Sequence, residues 1–95
     1  MRLKLFSSKK GNLEPNLVAI QAPDLDMLPT MLVCPLLEEE QPTSVRTMAL
    51  FSDKRYTVLC DLVRPINRRS LIEVGRFDEH TSQRIMATFL LLLAR

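Results

Sequence analysis

Hydrophobic and polar positions alternate at the start of the chain. In Arg2–Phe6, Leu3 and Leu5 fall on one face and Arg2, Lys4 and Phe6 on the other, the period-two signature of a strand. A polar stretch with Gly11 and Pro15 follows and reads as a loop or hairpin turn. Leu17–Gln21 is a short apolar strand, and the two prolines and two aspartates of residues 22–29 predict a turn or irregular segment. Thr30–Leu37 reads as a buried strand. Its Pro35 has no backbone donor, which places that position at an edge or a bulge. Glu38–Ser44 is polar and reads as a solvated loop. Two β-rich runs then flank Ser52–Lys54, the pattern of a hairpin. Pro65 limits pairing in the run after Asp61, and Gly75 is read as a turn before a helix.

The pattern changes period at Asp78. Aspartate is a good N-cap because its carboxylate accepts from orphan backbone N–H groups, and Glu79 adds negative charge at the positive end of the helix dipole. No Gly or Pro follows. Ile85, Met86, Phe89, Leu90 and Leu93 recur at three- and four-residue spacings and predict one apolar stripe, with Leu91 and Leu92 off its centre. The last turn is therefore apolar all round, which requires burial on two sides. The predicted class is α+β: a small, strongly bent antiparallel sheet or open SH3-like barrel with a C-terminal helix, in one domain over residues 1–95.

A chain of 95 residues buries only about 60–65% of its unfolded surface, so its own core is marginal. The apolar last turn on so short a chain predicts a homodimer. The run Leu90–Leu93 falls far below the roughly 20 apolar residues that span a bilayer, so no membrane partner is expected. Net charge is +2, and basic residues concentrate in the second half without reaching a nucleic-acid-binding signature. Met1 leads straight into the first strand with no signal segment, which predicts a cytoplasmic protein. Cys34 and Cys60 lie in apolar runs and read as reduced core thiols. One histidine, His80, and two separated cysteines do not make a zinc site, and neither metal nor cofactor is expected. The basic run Arg64, Arg68 and Arg69 reads as a solvated loop or as a holder of phosphates or an acidic peptide.

The first 36 residues resemble the CcdB toxin family. The features that carry the likeness are "MRLKLF", the pair Lys9–Lys10, "LVAIQAPDLDML" and "MLVCPL", with Val18, Gln21, Asp26, Val33, Pro35 and Leu36 in the family pattern. The second half, "YTVLCDLVRPINRRSLIEVGRF" and the helix, is similar both to CcdB and to the related MazF/PemK ribonuclease toxins. The resemblance implies the toxin of a type II toxin–antitoxin module for plasmid maintenance or growth inhibition, a homodimer neutralised by a cognate antitoxin. It further implies a target, the A subunit of DNA gyrase, met by the helix end at Leu92, Leu93, Ala94 and Arg95, with Phe89, Leu90 and Leu91 at the dimer interface.

The likeness to the ribonuclease toxins implies an alternative. Those enzymes carry an Arg before a Pro at the start of the second strand region and a Thr or Ser near the end of the third. Here Glu14 precedes Pro15, and Leu36 or Leu37 takes the latter place. A base at His80 facing Arg76 would be needed instead. The chain also ends Leu-Ala-Arg where the CcdB tail is Trp-Gly-Ile. The expectation is therefore a protein that is not an enzyme, has no catalytic residues and no small-molecule substrate. The alternatives are a MazF-like endoribonuclease and a CcdB-fold protein that has lost toxicity and serves as an antitoxin-binding module.

Overall fold

The structure, a computed structural model, describes residues 1–9, 11–21 and 28–94. Among these residues, seven strands are followed by one α-helix: β1 (Lys4–Ser7), β2 (Leu17–Ala19), β3 (Thr30–Leu37), β4 (Arg46–Phe51), β5 (Lys54–Leu59), β6 (Arg64–Asn67), β7 (Ile72–Arg76) and α1 (Glu79–Leu93). The sheet is antiparallel, in the order β4-β5-β3-β2-β1-β7, with β6 joined to β3. It curls into a half-barrel, and α1 packs into its mouth. The α+β class expected from the sequence is the one observed.

Strand β3 makes the curl possible. One of its edges pairs with β2. The other pairs first with β6, from Thr30 to Val33, and then with β5, at Leu36 and Leu37. Between those partners the chain is taken up by the 3-10 turn Cys60–Leu62. Pro35 falls in this gap. The Leu36 N–H donates to Asn16 O on the β2 side at 2.9 Å. By alternation, the donor that Pro35 lacks would point the other way, where neither β5 nor β6 forms a ladder pair with it. Pro35 is thus in the central strand rather than at the expected edge or bulge, and it breaks no ladder bond.

Alternate residues feed two apolar layers. Leu3, Leu5, Val18, Ile20, Cys34 and Leu36 join Ala49, Tyr56, Val58, Cys60, Phe77 and Ile85 on the helix side. Phe6, Leu17, Ala19, Met31 and Val33 pack on the opposite face against Ile66 and Leu71. Burial on both faces explains why residues 17–20 read as a continuous apolar run.

The hairpin β4–β5 turns through Ser52 and Asp53, both at positive φ (52° and 65°), between the paired residues Phe51 and Lys54. Two positive φ angles give the strand-twist match that a two-residue hairpin needs. Gly75 is not the expected turn residue. It lies inside β7, opposite Leu5, beside a register shift in the β1–β7 ladder. An added Cβ there would stand 2.4 Å from Phe51 Cζ, so the glycine admits the Phe51 ring. That ring meets Phe77 edge-on at a centroid distance of 6.3 Å.

Helix α1 starts as the sequence predicts. The Thr81 N–H donates to Asp78 Oδ1 at 2.6 Å. The Leu3 N–H donates to Ser82 Oγ at 2.9 Å, and the Phe77 N–H to Leu3 O at 2.9 Å, tying the first turn to β1. Its apolar stripe differs by one step from the expectation. Ile85, Met86, Phe89 and Leu92 face the core, whereas Leu90 and Leu93 point outward with Leu91. The phase is set at the helix start, where buried Ser82 is held to β1. Steps of three and four from Ser82 lead through Ile85, Met86 and Phe89 to Leu92. Among the described residues, no helix is long and apolar enough to cross a membrane.

Candidate functional site

The loop joining β1 to β2 carries Glu14 and is tightly bonded. The Asn16 Nδ2 donates to Ser8 Oγ at 2.7 Å, the Ser8 N–H donates to Asn16 Oδ1 at 3.1 Å, and the Asn16 N–H donates to Phe6 O at 3.0 Å. The Glu14 N–H donates to Asn12 Oδ1 at 2.9 Å, a local turn bond that fixes the residue before Pro15. Glu38 follows directly on the last residue of β3. Lys54 opens β5, held in place by the two-residue turn.

These three separate elements bring Glu14, Lys54 and Glu38 together. The Lys54 ammonium sits 2.5 Å from Glu14 Oε1 and 3.7 Å from Glu38 Oε1. All three side chains remain about half exposed, so the group is open to a ligand. The hydrogen bond to Glu14 raises the Lys54 pKa above its ordinary value, so the ammonium stays charged through neutral pH.

Two clefts flank this corner. One, of about 170 Å³, is lined by Ser7, Lys9, Asn12, Glu14, Pro15 and Asn16. The other, of about 220 Å³, includes Glu39, Gln41, Arg55 and Thr57, the first and third being chain neighbours of Glu38 and Lys54. Glu39 takes a positive φ of 63°, uncommon for a residue with a Cβ. Thr57 Oγ1 donates to Glu40 O at 2.7 Å and holds the loop that forms this wall. The corner and its clefts set Glu14, Glu38, Glu39 and Glu40 against Lys9, Lys54 and Arg55, a mixed group of proton acceptors and cations. Among the described residues, no group of three or more His, Cys, Asp or Glu is placed to hold a metal ion.

The residues singled out from sequence are scattered over other surfaces. Leu90, Leu91 and Leu93 are 57%, 52% and 66% exposed and form an open apolar patch with exposed Ala94. Phe89 and Leu92 pack on the core instead, because the helix phase turns them inward. Arg95, Asp26 and Lys10 lie outside the described residues. Arg64 and Arg69 are exposed, while Arg68 donates from Nε to Leu28 O at 2.9 Å and braces the chain entering β3. His80 is exposed on the first turn of α1, and Arg76 lies 3.6 Å from Glu73 in an ion pair of its own. The structure therefore does not assemble His80 and Arg76 as a base–cation pair.

Sequence reasoning missed the Glu14–Lys54–Glu38 corner. Its only trace was Glu14 standing where the ribonuclease toxins carry arginine. Lys54 is 40 residues away, and only the curl of the sheet brings the two together.

No family model matches the chain, and no curated protein matches it. Solved structures do match in fold. A mycobacterial endoribonuclease in complex with its cognate antitoxin superposes with a TM-score of 0.74 at 11% identity, covering 98% of this chain and 90% of that one. MazF from Deinococcus radiodurans gives 0.72 at 13% identity, covering 99% and 94%. The MazE–MazF complex from the same organism gives 0.70 at 13% identity, covering 97% and 89%. The chain thus has the fold shared by these proteins along nearly its whole length. The comparison corrects the expectation of a protein that is not an enzyme. That expectation rested on a missing Arg and Thr, yet the full-length structural match is to proteins that include a named endoribonuclease.

Proposed function

We propose that this protein is the toxin of a toxin–antitoxin pair and acts as an endoribonuclease. The observation that carries the reading is the Glu14–Lys54–Glu38 corner, set between two clefts on a fold shared with an antitoxin-bound endoribonuclease. As a phosphodiester enters, Lys54 turns from Glu14 to a non-bridging phosphate oxygen. Glu14, released from the ammonium, accepts the proton of the neighbouring 2′-OH. The 2′ oxygen attacks phosphorus and the bond from phosphorus to the 5′ oxygen breaks, leaving a 2′,3′-cyclic phosphate. Lys54 stabilises the charge on the equatorial oxygens and protonates the departing 5′ oxygen. Transfer of the Glu14 proton to Lys54 then restores the starting pair. Glu38 keeps Lys54 charged and oriented throughout. The carboxylates take the proton that His80 cannot, and the ammonium replaces the absent arginine.

The exposed patch of Leu90, Leu91 and Leu93 is suited to cover itself against a second copy, and exposed Arg64 and Arg69 suit an acidic antitoxin segment. Action on RNA places the protein in the cytoplasm. A gyrase contact through Leu92–Arg95 is not adopted, because Leu92 faces the protein's own core. The test is incubation of purified protein, free of antitoxin, with a mixed-sequence RNA under metal-free conditions. Cleavage to 2′,3′-cyclic phosphate ends is expected, slowed about 10²–10⁴-fold by Glu14→Gln and by Lys54→Ala. Intact RNA, or cleavage indifferent to both substitutions, would overturn the reading.

A further inference from the structure

Cys34 and Cys60 are both fully buried and both free. One comes from the middle of β3, the other from the first residue of the 3-10 turn after β5. The β3–β5 ladder pairs Leu37 with Thr57 and Leu36 with Val58. Cys34 and Cys60 each lie two residues beyond the Leu36–Val58 pair, and both belong to the buried layer on the helix side. The 3-10 turn that Cys60 opens packs against β3. A disulfide bridges Cα atoms about 4.4–6.8 Å apart, a spacing within reach of chains that are still neighbours two residues past a paired position. The neighbouring thiols act on each other, which lowers the pKa of Cys60 and raises that of Cys34.

We propose that Cys34 and Cys60 are a reversible oxidation site, forming with hydrogen peroxide a disulfide that bolts the central strand to the turn between β5 and β6. Cys60 attacks first as the thiolate. An S–O bond forms, the O–O bond of the peroxide breaks, and the departing oxygen leaves as water. Cys34 then attacks the resulting sulfenic sulfur. The S–S bond forms, the S–O bond breaks, and a second water leaves. Two electrons pass from the sulfurs to the peroxide, and both thiol protons end in water. Access is through brief opening of the short turn Cys60–Leu62, whose Asp61 and Leu62 are already exposed. The bond closes a loop over residues 35–59 and restricts the unfolded chain.

The test is oxidation of the whole protein with a few equivalents of hydrogen peroxide, followed by intact mass, non-reducing peptide mapping and thermal melting. A loss of two mass units, a Cys34–Cys60 linked peptide and a melting temperature raised by about 10 °C or more are expected. All should revert with dithiothreitol. Cys34→Ala and Cys60→Ala, each folded by circular dichroism, should lose the linked peptide and the shift. If both unfold, the wild-type mass and map still decide. Mass gained as oxygen, a disulfide between two chains, or thiols unchanged even at a temperature just below the melting transition would each overturn the proposal.

Discussion

Helix α1 ends in leucines that differ sharply in surroundings, and this makes its phase measurable. Ile85 is fully buried, Leu92 is partly buried against the same layer, and Leu93 is 66% exposed. Truncating a packed aliphatic side chain to alanine removes its transfer free energy and leaves a cavity, together about 2–5 kcal/mol. Ile85→Ala, deep in the layer, should cost about 3–4 kcal/mol on this scale. Leu92 gains only part of that contact and sits in the last turn, where helices fray, so about 1–2 kcal/mol is expected. Leu93→Ala removes a mostly solvated side chain and should cost under about 0.5 kcal/mol. Urea unfolding followed by far-ultraviolet circular dichroism suits a chain without tryptophan. Running it at several protein concentrations separates folding from association. If Leu93 lies between two copies, its small cost grows as concentration rises, whereas the Ile85 cost is present at all of them. A Leu93→Ala cost equal to that of Ile85→Ala at every concentration would refute the assigned helix phase.

Gly75→Ala should destabilise by about 1–2 kcal/mol, because its methyl would overlap the Phe51 ring, and Phe51→Leu should recover most of the loss in the double variant. Urea midpoints of the four proteins check this, and purely additive costs would remove the ring as the cause. Acid should destabilise the fold through Asp61, whose pKa is lowered by its hydrogen bonds from Arg46, and Asp78, lowered by the Thr81 N–H. Folded pKa values below the unfolded value of about 3.9 mean that this stabilisation is present above that pH and is lost as pH falls through the folded values. Asp61→Asn and Asp78→Asn should each flatten the fall in urea midpoint between pH 5 and pH 2; an unchanged fall in both would refute the assignment.

The sequence alone determined what rests on short-range chemistry. The period-two pattern of Leu3 and Leu5, the hairpin around Ser52–Lys54 and the Asp78 cap each involve residues a few positions apart, so local pattern suffices. Burial of Cys34 and Cys60 was legible from their apolar neighbours. Tertiary structure decided the rest. Pro35 is tolerated in the central strand because the partner chain breaks off opposite it, a fact held in β5 and β6. Gly75 answers a ring 24 residues earlier rather than a turn. Leu92 rather than Leu90 or Leu93 turns inward because Ser82 is fixed to β1, and a run of four leucines carries no phase of its own. The candidate site was illegible for the same reason. Glu14, Glu38 and Lys54 are ordinary charged loop and turn residues in one dimension. They come together only when the curled sheet brings three chain segments to one corner, where Lys54 hydrogen bonds Glu14 and pairs in charge with Glu38 at 3.7 Å.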